Sequence, residues 1–226
     1  ARAREVNQKL LMLLGHELGS PLTFILAYLR LWQERVTGVD RDELNLVVQQ
    51  ALTLKSRLDD LMLLDQLETG MWRLAPEPLD ISRIIEQVED VRRAELLEKN
   101  LTLEIELSCY APVLADRAML LRALNHLVEN ACKFSNPNST ITIRSECEGE
   151  FCRITVADQG IGIPVEQQAR IFEPFFQVDL TRARRYNGLG IGLKLVRAIV
   201  EKLGGCVQVK SAEGEGSAFI LTLPLA

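Results

Sequence analysis

The residues of this chain best suited to chemistry are two glycine clusters, an aspartate where a strand pattern gives way to a loop, an asparagine inside a helical pattern, and a histidine beside a glutamate. The first cluster reads Asp158-Gln159-Gly160-Ile161-Gly162-Ile163-Pro164, and its glycines let the backbone come close to a flat ligand. A carboxylate only accepts hydrogen bonds, so Asp158 suits the exocyclic amine of adenine and disfavours the carbonyl of guanine. Taken alone, the segment is equally a strand-end turn with a capping aspartate. The second cluster, Gly188-Leu189-Gly190-Ile191-Gly192-Leu193, leads straight into an amphipathic helical pattern. Such a junction offers backbone N–H groups and a positive helix end to phosphates. Its spacing is neither GxxxxGK followed by Ser or Thr nor GxGxxG after a strand, so a P-loop or a dinucleotide fold is not supported.

Between the clusters, the polar stretch from Gln177 to Asn187 contains Arg182, Arg184 and Arg185. Cationic side chains on a lid could close over a triphosphate, although each arginine alone reads as well as a solvated loop residue. Upstream, His126, Asn130 and Lys133 stand four and three residues apart and therefore share one helix face. Asparagine competes for backbone hydrogen bonds within a helix, so its presence there calls for a compensating role. Its carbonyl oxygen can ligate Mg²⁺, a hard ion that keeps substrate phosphates as ligands, and Lys133 could neutralise phosphate charge. Near the start, Gly15-His16-Glu17-Leu18-Gly19-Ser20-Pro21-Leu22 puts a histidine beside a carboxylate just before a helix-bending proline. If Glu17 takes the proton of one imidazole nitrogen, the other becomes the better nucleophile toward phosphorus. In isolation, a surface histidine next to a glutamate is usually a solvated pair.

Positioning these groups requires two kinds of architecture. From Ala3 to Val36, the apolar residues Leu10, Leu11, Leu14, Leu18, Leu22, Ile25, Leu29 and Trp32 recur at three- and four-residue steps, which predicts a long amphipathic helix bent at Pro21. A turn at Thr37-Gly38-Val39-Asp40 separates it from a second periodic stretch, Glu43 to Leu67. Two helices cannot bury stripes this wide against each other alone, so pairing with a second copy into a four-helix bundle is expected. Packing of the hairpin on its own chain is the plainer alternative. The pattern breaks near Thr69-Gly70, and the stretch through Pro76 and Pro78 reads as a linker. The expected division is thus a hairpin over 1–69, a linker over 70–78 and a second domain over 79–226. In that domain helices are expected around Ile81 to Lys99, Arg117 to Lys133 and Gly190 to Leu203. Strands are expected around Leu101 to Leu107, Thr140 to Ser145, Arg153 to Asp158, Cys206 to Ser211 and Ala218 to Leu223. This order suggests an α/β sandwich, one sheet covered by helices.

With 226 residues, 47% of them hydrophobic, the chain can bury a substantial core. A net charge of -5 gives no global attraction to nucleic acid or to anionic membranes. The five cysteines are an odd number, lack a CxxC pair and fit a reducing, cytoplasmic compartment. No apolar run approaches the roughly 20 residues that cross a bilayer. The chain opens inside a helical pattern, and an upstream sensor or membrane portion is expected to precede it.

Taken together and in order, these segments resemble the sensor histidine kinases of two-component signalling. His16 to Leu22 resembles the phosphoacceptor box, Asn125 to Ser135 the asparagine box, and Asp158 to Gly162 the first glycine box. Ile171-Phe172-Glu173-Pro174-Phe175-Phe176 is similar to the phenylalanine box, Gly188 to Gly192 to the second glycine box, and Gly214-Glu215-Gly216-Ser217 to the last. The resemblance implies a dimeric helical phosphotransfer domain followed by an ATP-binding sandwich of the type shared with gyrase and the Hsp90 chaperones. It also implies that ATP with Mg²⁺ phosphorylates His16 and that the phosphoryl group passes to an aspartate on a response-regulator receiver domain.

Position by position, the resemblance makes His16 the acceptor, Glu17 its acid/base and Ser20 the counterpart of a residue that orients water for dephosphorylating the partner. Asn130 matches the Mg²⁺ ligand, Lys133 a phosphate contact and Asp158 the adenine reader. The remaining nucleotide contacts implied are Gly160, Gly162, Ile163 and Phe172, then Arg182 and Arg185, then Gly188, Leu189, Gly190, Ile191, Gly192 and Leu193, and finally Ser217. The chain departs from the usual pattern in having His126 where an asparagine is common, Gly19 for an arginine and Gly15 for a serine. Those departures motivate the alternative of a degenerate kinase that binds nucleotide and serves as a dimeric scaffold. A phosphate-releasing ATPase ranks lower, because distant relatives of the sandwich place a glutamate base at the position of His126.

Overall fold

The computed structural model describes residues 22–33, 39–178 and 189–226. The chain divides into two compact units, Ala1–Trp72 and Arg73–Ala226.

In the first unit, helix α1 spans residues 22–33 and helix α2 spans Val39–Thr69. The last two residues of the expected turn are therefore helical. Leu22 and Leu26, one turn apart on α1, meet Leu58 of α2 in a small buried cluster flanked by Ala51 and Leu52. The amide of Gln33 donates to the side-chain oxygen of Asn45, a second tie between the helices. At the far end the Thr69 hydroxyl donates to the Asp65 carbonyl, and Gly70 turns the chain with a φ of 73°. Much apolar surface stays outside: Phe24 is 76% exposed, and Tyr28, Leu31, Trp32, Leu46 and Val47 are exposed as well.

The second unit is a five-stranded sheet carrying three main helices. Strands β1 (Glu77–Leu79), β2 (Thr102–Leu107), β3 (Val113–Ala115), β4 (Thr140–Glu148), β5 (Phe151–Asp158), β6 (Cys206–Ala212) and β7 (Gly216–Pro224) alternate with helices α3 (Ile81–Glu98), α4 (Arg117–Phe134), α5 (Val165–Gln168) and α6 (Gly192–Lys202). The main sheet has the order β2-β4-β5-β7-β6, with β2 parallel to β4 and the other neighbours antiparallel. Each strand expected from the sequence is present within a few residues. Two short strands were not expected. β1 and β3 pair antiparallel in a separate ladder, with Pro78 opposite Leu114. Three residues are too few to show alternation, and β1 includes Pro78 of the segment expected as linker; proline is tolerated in such an edge strand.

Register explains the core. Cys152, Ile154 and Val156 of β5 lie opposite Leu223, Leu221 and Phe219 of β7, and all six are buried with Ile141 and Ile143 of β4. With a side-chain period of two, these residues share the sheet face on which α3, α4 and α6 pack. Leu120, Leu124 and Leu127 of α4 and Leu195 and Ile199 of α6 complete the layer, each at most 1% exposed. α3 and α4 start at aspartate caps: Asp80 accepts from Ser82 N–H and Asp116 from Met119 N–H. Asp116 also accepts from the backbone of Ala75, tying the incoming segment to α4. At the other end of α4, Lys99 Nζ donates to the carbonyls of Cys132 and Lys133, each at 2.7 Å, a cation placed at the negative helix end.

Cys109 and Cys147 form a disulfide, which corrects the expectation that the cysteine set fits a reducing compartment: only Cys132, Cys152 and Cys206 are free thiols. The spacing of the bridged pair in sequence gives no hint of it, because the parallel β2–β4 ladder is what aligns them: Leu107 faces Ser145, and two residues further on each chain come the two cysteines. Burial pushes the thiols of Cys132 and Cys152 up to about 11, so both stay protonated and inert at neutral pH.

Candidate functional site

Asp158 is the last residue of β5, and the chain leaves the sheet there in a sharply confined path. Its carboxylate accepts a hydrogen bond from Gly160 N–H at 2.8 Å and another from the backbone N–H of Ser217, its partner in the β5–β7 ladder. Burial nevertheless raises the Asp158 pKa above the ordinary value of 3.8, the two N–H groups offsetting only part of that effect. The group is an acceptor held at the rim of the core, partly stripped of water.

The glycines around it are required by space. A Cβ on Gly160 would lie 2.4 Å from the carbonyl oxygen of Phe134 at the end of α4, and Gly160 forms a bridge with Ser135. Gly162, with φ 67°, would place a Cβ 1.9 Å from the carbonyl oxygen of Ala212. The first glycine loop is thus wedged between the end of α4 and the turn joining β6 to β7. Gly214 N–H donates to Ile161 O on the same side, at 2.8 Å. Ile163 is half-buried, with its N–H bonded to the Ser211 hydroxyl.

α4 forms the neighbouring wall. Asn130 and Lys133 are half-buried on it, and Lys133 Nζ lies 4.9 Å from the centroid of the Phe134 ring. Half-buried His126 approaches the start of α6: a Cβ on Gly192 would lie 3.2 Å from its Nδ1. The second glycine cluster therefore meets the same helix that carries Asn130. Gly190, with φ 68°, accepts from Phe175 N–H, so the phenylalanine segment wraps the entrance to α6. Phe172 is buried beneath the Arg197 guanidinium, 4.9 Å above its ring, and serves packing in this position. Ile191 is buried, Leu193 half-buried and Leu189 41% exposed.

α3 and α4 both begin at aspartate caps, whereas α6 begins at Ile191, which supplies no side-chain cap. An apolar N-cap leaves the first N–H groups of that helix available to an anion. Among the described residues, no group of three His, Cys, Asp or Glu side chains could hold a metal ion. A divalent cation here would be held by the Asn130 amide oxygen together with ligand phosphates, a donor set that suits Mg²⁺.

Of the sequence-predicted site residues, His16, Glu17, Ser20, Arg182, Arg185 and Gly188 lie outside the described residues. Asp158, Gly160, Gly162, Ile163 and Ser217 gather at one end of the sheet. Asn130 and Lys133 lie on the α4 wall, with Gly190, Ile191 and Gly192 at the start of α6. Sequence reasoning missed Ser211 and Gln168. Gln168 Nε2 donates to both Ile163 O and Ser211 O, at 3.0 and 2.8 Å, pinning the loop to β6. Neither residue stands in a recognisable spacing, since their shared role arises only when the β6–β7 turn closes over the loop.

Residues 115–226 match the family described as histidine kinase-, DNA gyrase B- and HSP90-like ATPase. Over 98% of its length the chain is 33% identical to the circadian input-output histidine kinase CikA of Synechococcus elongatus, covering 30% of that protein. Over 99% of its length it is 28% identical to the autoinducer 2 sensor kinase/phosphatase LuxQ of Vibrio harveyi, covering 27% of it. The chain thus spans about a third of the length of these curated relatives. Among solved structures it is similar to full-length ShkA in complex with AMPPNP, with a TM-score of 0.81, 27% identity, and coverage of 96% of this chain and 46% of that one. The histidine kinase AdeS of Acinetobacter baumannii gives a TM-score of 0.68 at 27% identity, covering 93% and 98%.

Proposed function

We propose that the chain is a sensor histidine kinase in which ATP bound beside Asp158 and Asn130 phosphorylates His16; residues 115–226 match the ATPase family, and nearly the whole chain is similar to histidine kinases. The observation that carries this reading is the pairing of Asp158, an amine acceptor fixed by two backbone N–H groups, with the uncapped start of α6 across the α4 wall. Adenine is read at the first place, phosphates are received at the second, and α4 spans the two. Lys133 and the lid arginines Arg182 and Arg185 add positive charge around the triphosphate. Asn130 would help to hold Mg²⁺, which would supply neutralisation of phosphate charge.

In the reaction, one imidazole nitrogen of His16 attacks the γ-phosphorus, a phosphorus–nitrogen bond forms, and the bond to the β-phosphate oxygen breaks, releasing ADP. Glu17 accepts the proton from the other nitrogen. The phosphoryl group then passes to an aspartate of a response-regulator receiver domain, with Ser20 holding water for its later removal. The apolar surface left on the hairpin by Phe24, Tyr28, Leu31 and Trp32 supports a homodimer through a four-helix bundle. Among the described residues no helix is long and apolar enough to cross a membrane. A cytoplasmic catalytic part, with a sensor portion elsewhere in the full protein, belongs to the same proposal and rests on the similarity to sensor kinases.

Incubation with γ-labelled ATP and Mg²⁺ tests the reading. Label should be acid-labile and alkali-stable, and His16→Gln should abolish it. Nucleotide binding without label would instead identify a kinase-like scaffold, the reading favoured by His126, Gly19 and Gly15.

A further inference from the structure

We infer that Ser211 is a positioning residue for adenine selection, acting through the hydroxyl of Ser217; the inference rests on the nucleotide reading of the site given above. Ser211 Oγ has three partners: Ile163 N at 2.8 Å, Gly216 O at 2.7 Å and Ser217 Oγ at 3.0 Å. A hydroxyl owns one proton and two lone pairs. The Gly216 carbonyl can only accept, so the proton of Ser211 goes there. The Ile163 N–H can only donate, so it takes one lone pair. The remaining lone pair is left for Ser217, which must therefore be the donor in that contact.

The consequence is directional. With its single proton committed to Ser211, Ser217 presents only lone pairs on its other sides. Ser217 is 8% exposed and lies directly opposite Asp158 in the β5–β7 register, with its own N–H on the carboxylate. Two acceptor-only groups then stand side by side at the end of the sheet. A pair of acceptors welcomes an exocyclic amine, directly or through a shared water, and leaves a carbonyl at the same place without a donor. A freely rotating Ser217 hydroxyl could turn its proton outward and lose that distinction. Gln168 keeps the arrangement in register by holding Ile163 O and Ser211 O together.

Calorimetric titration of the full chain with ATP, with purine riboside triphosphate, which lacks the amine, and with GTP tests the inference. The wild type should prefer ATP to both. In Ser211→Ala the ratio of ATP to purine riboside triphosphate affinity should fall about fivefold, with the amine-free ligand moving less than about twofold. Ser211→Thr, which retains a hydroxyl, should keep the wild-type ratio. Ser211→Cys preserves volume while weakening each hydrogen bond, so it should lower the ratio even if the alanine variant does not fold. Equal weakening of both nucleotides, or an unchanged ratio in a folded Cys or Ala variant, overturns the role of Ser211. A wild type that binds no ATP overturns the underlying nucleotide reading, a result separable from the first because it precedes any substitution.

Discussion

The recognition proposed for Asp158 comes at the expense of stability. Its folded pKa lies above 3.8, with burial as the leading cause, so the folded state holds a proton more tightly than the unfolded chain does. The sign follows by linkage: the carboxylate withdraws stability at neutral pH, and that stability returns as pH falls through the raised pKa toward 3.8. Asp158→Asn should therefore leave the melting temperature at pH 7 unchanged or raise it, while ATP affinity falls about 10- to 100-fold through loss of a charged acceptor. Scanning calorimetry and ligand titration on the same preparation check both halves. A variant that loses stability and affinity together would make Asp158 a structural cap. Wild-type ATP affinity should also decline as pH falls through the raised pKa and the carboxylate protonates, a decline attributable to Asp158 only where the asparagine variant lacks it.

At the scale of the element, α4 is the part on which both glycine loops lean. Its end meets Gly160 so closely that an added methyl falls on the Phe134 carbonyl, which backbone cannot easily avoid. Gly160→Ala should destabilise the chain by about 1–3 kcal/mol in urea unfolding and weaken ATP binding with it. Its beginning is held by Asp116, which accepts from Met119 N–H and from Ala75 N–H. Asp116→Ala should cost about 1–2 kcal/mol while leaving the ratio of ATP to GTP affinity intact, because the cap lies at the opposite end of the helix from Gly160. A changed ratio would show that the cap reaches the site. His126, against Gly192, was read in sequence from its departure from the asparagine box; its packing against the start of α6 gives it a concrete place in the fold.

For the whole molecule, the disulfide and the hairpin set the larger expectations. Cys109–Cys147 closes a loop with a sequence separation of 38, and its reduction should lower stability by about 2–4 kcal/mol, seen as a fall in melting temperature when reductant is added. Cys147→Ser should show the same lowered value with or without reductant. The bridge joins β4 near Cys152, at the end of β5 opposite Asp158, so ATP affinity measured below the melting range should not change. Light scattering should give twice the mass of 25.4 kDa for the chain, and charge placed at Trp32 or Leu31 should shift it toward the single-chain value.

Much of this was legible in the residues themselves. Periodicity of 3.6 and 2 located α2, α3, α4, α6 and the five main strands, because burying one face leaves its mark at a fixed local spacing. Asp158, Gly160 and Gly162 were legible for a related reason: an acceptor and a missing Cβ are demands that few residue types satisfy, and the ligand role proposed for Asn130 is argued in the same way. Other features depend on neighbours far apart in the chain. The β1–β3 ladder, the Cys109–Cys147 bridge, the packing role of Phe172 and the Ser211–Gln168 clamp have no local pattern to betray them. A serine or glutamine on a strand edge or a short helix is chemically unremarked until another segment arrives within hydrogen-bond distance. Spacing along the chain thus determined the elements and the chemical types at the site, whereas contact between segments decided the direction of each hydrogen bond, which is a property of pairs and belongs to no single residue.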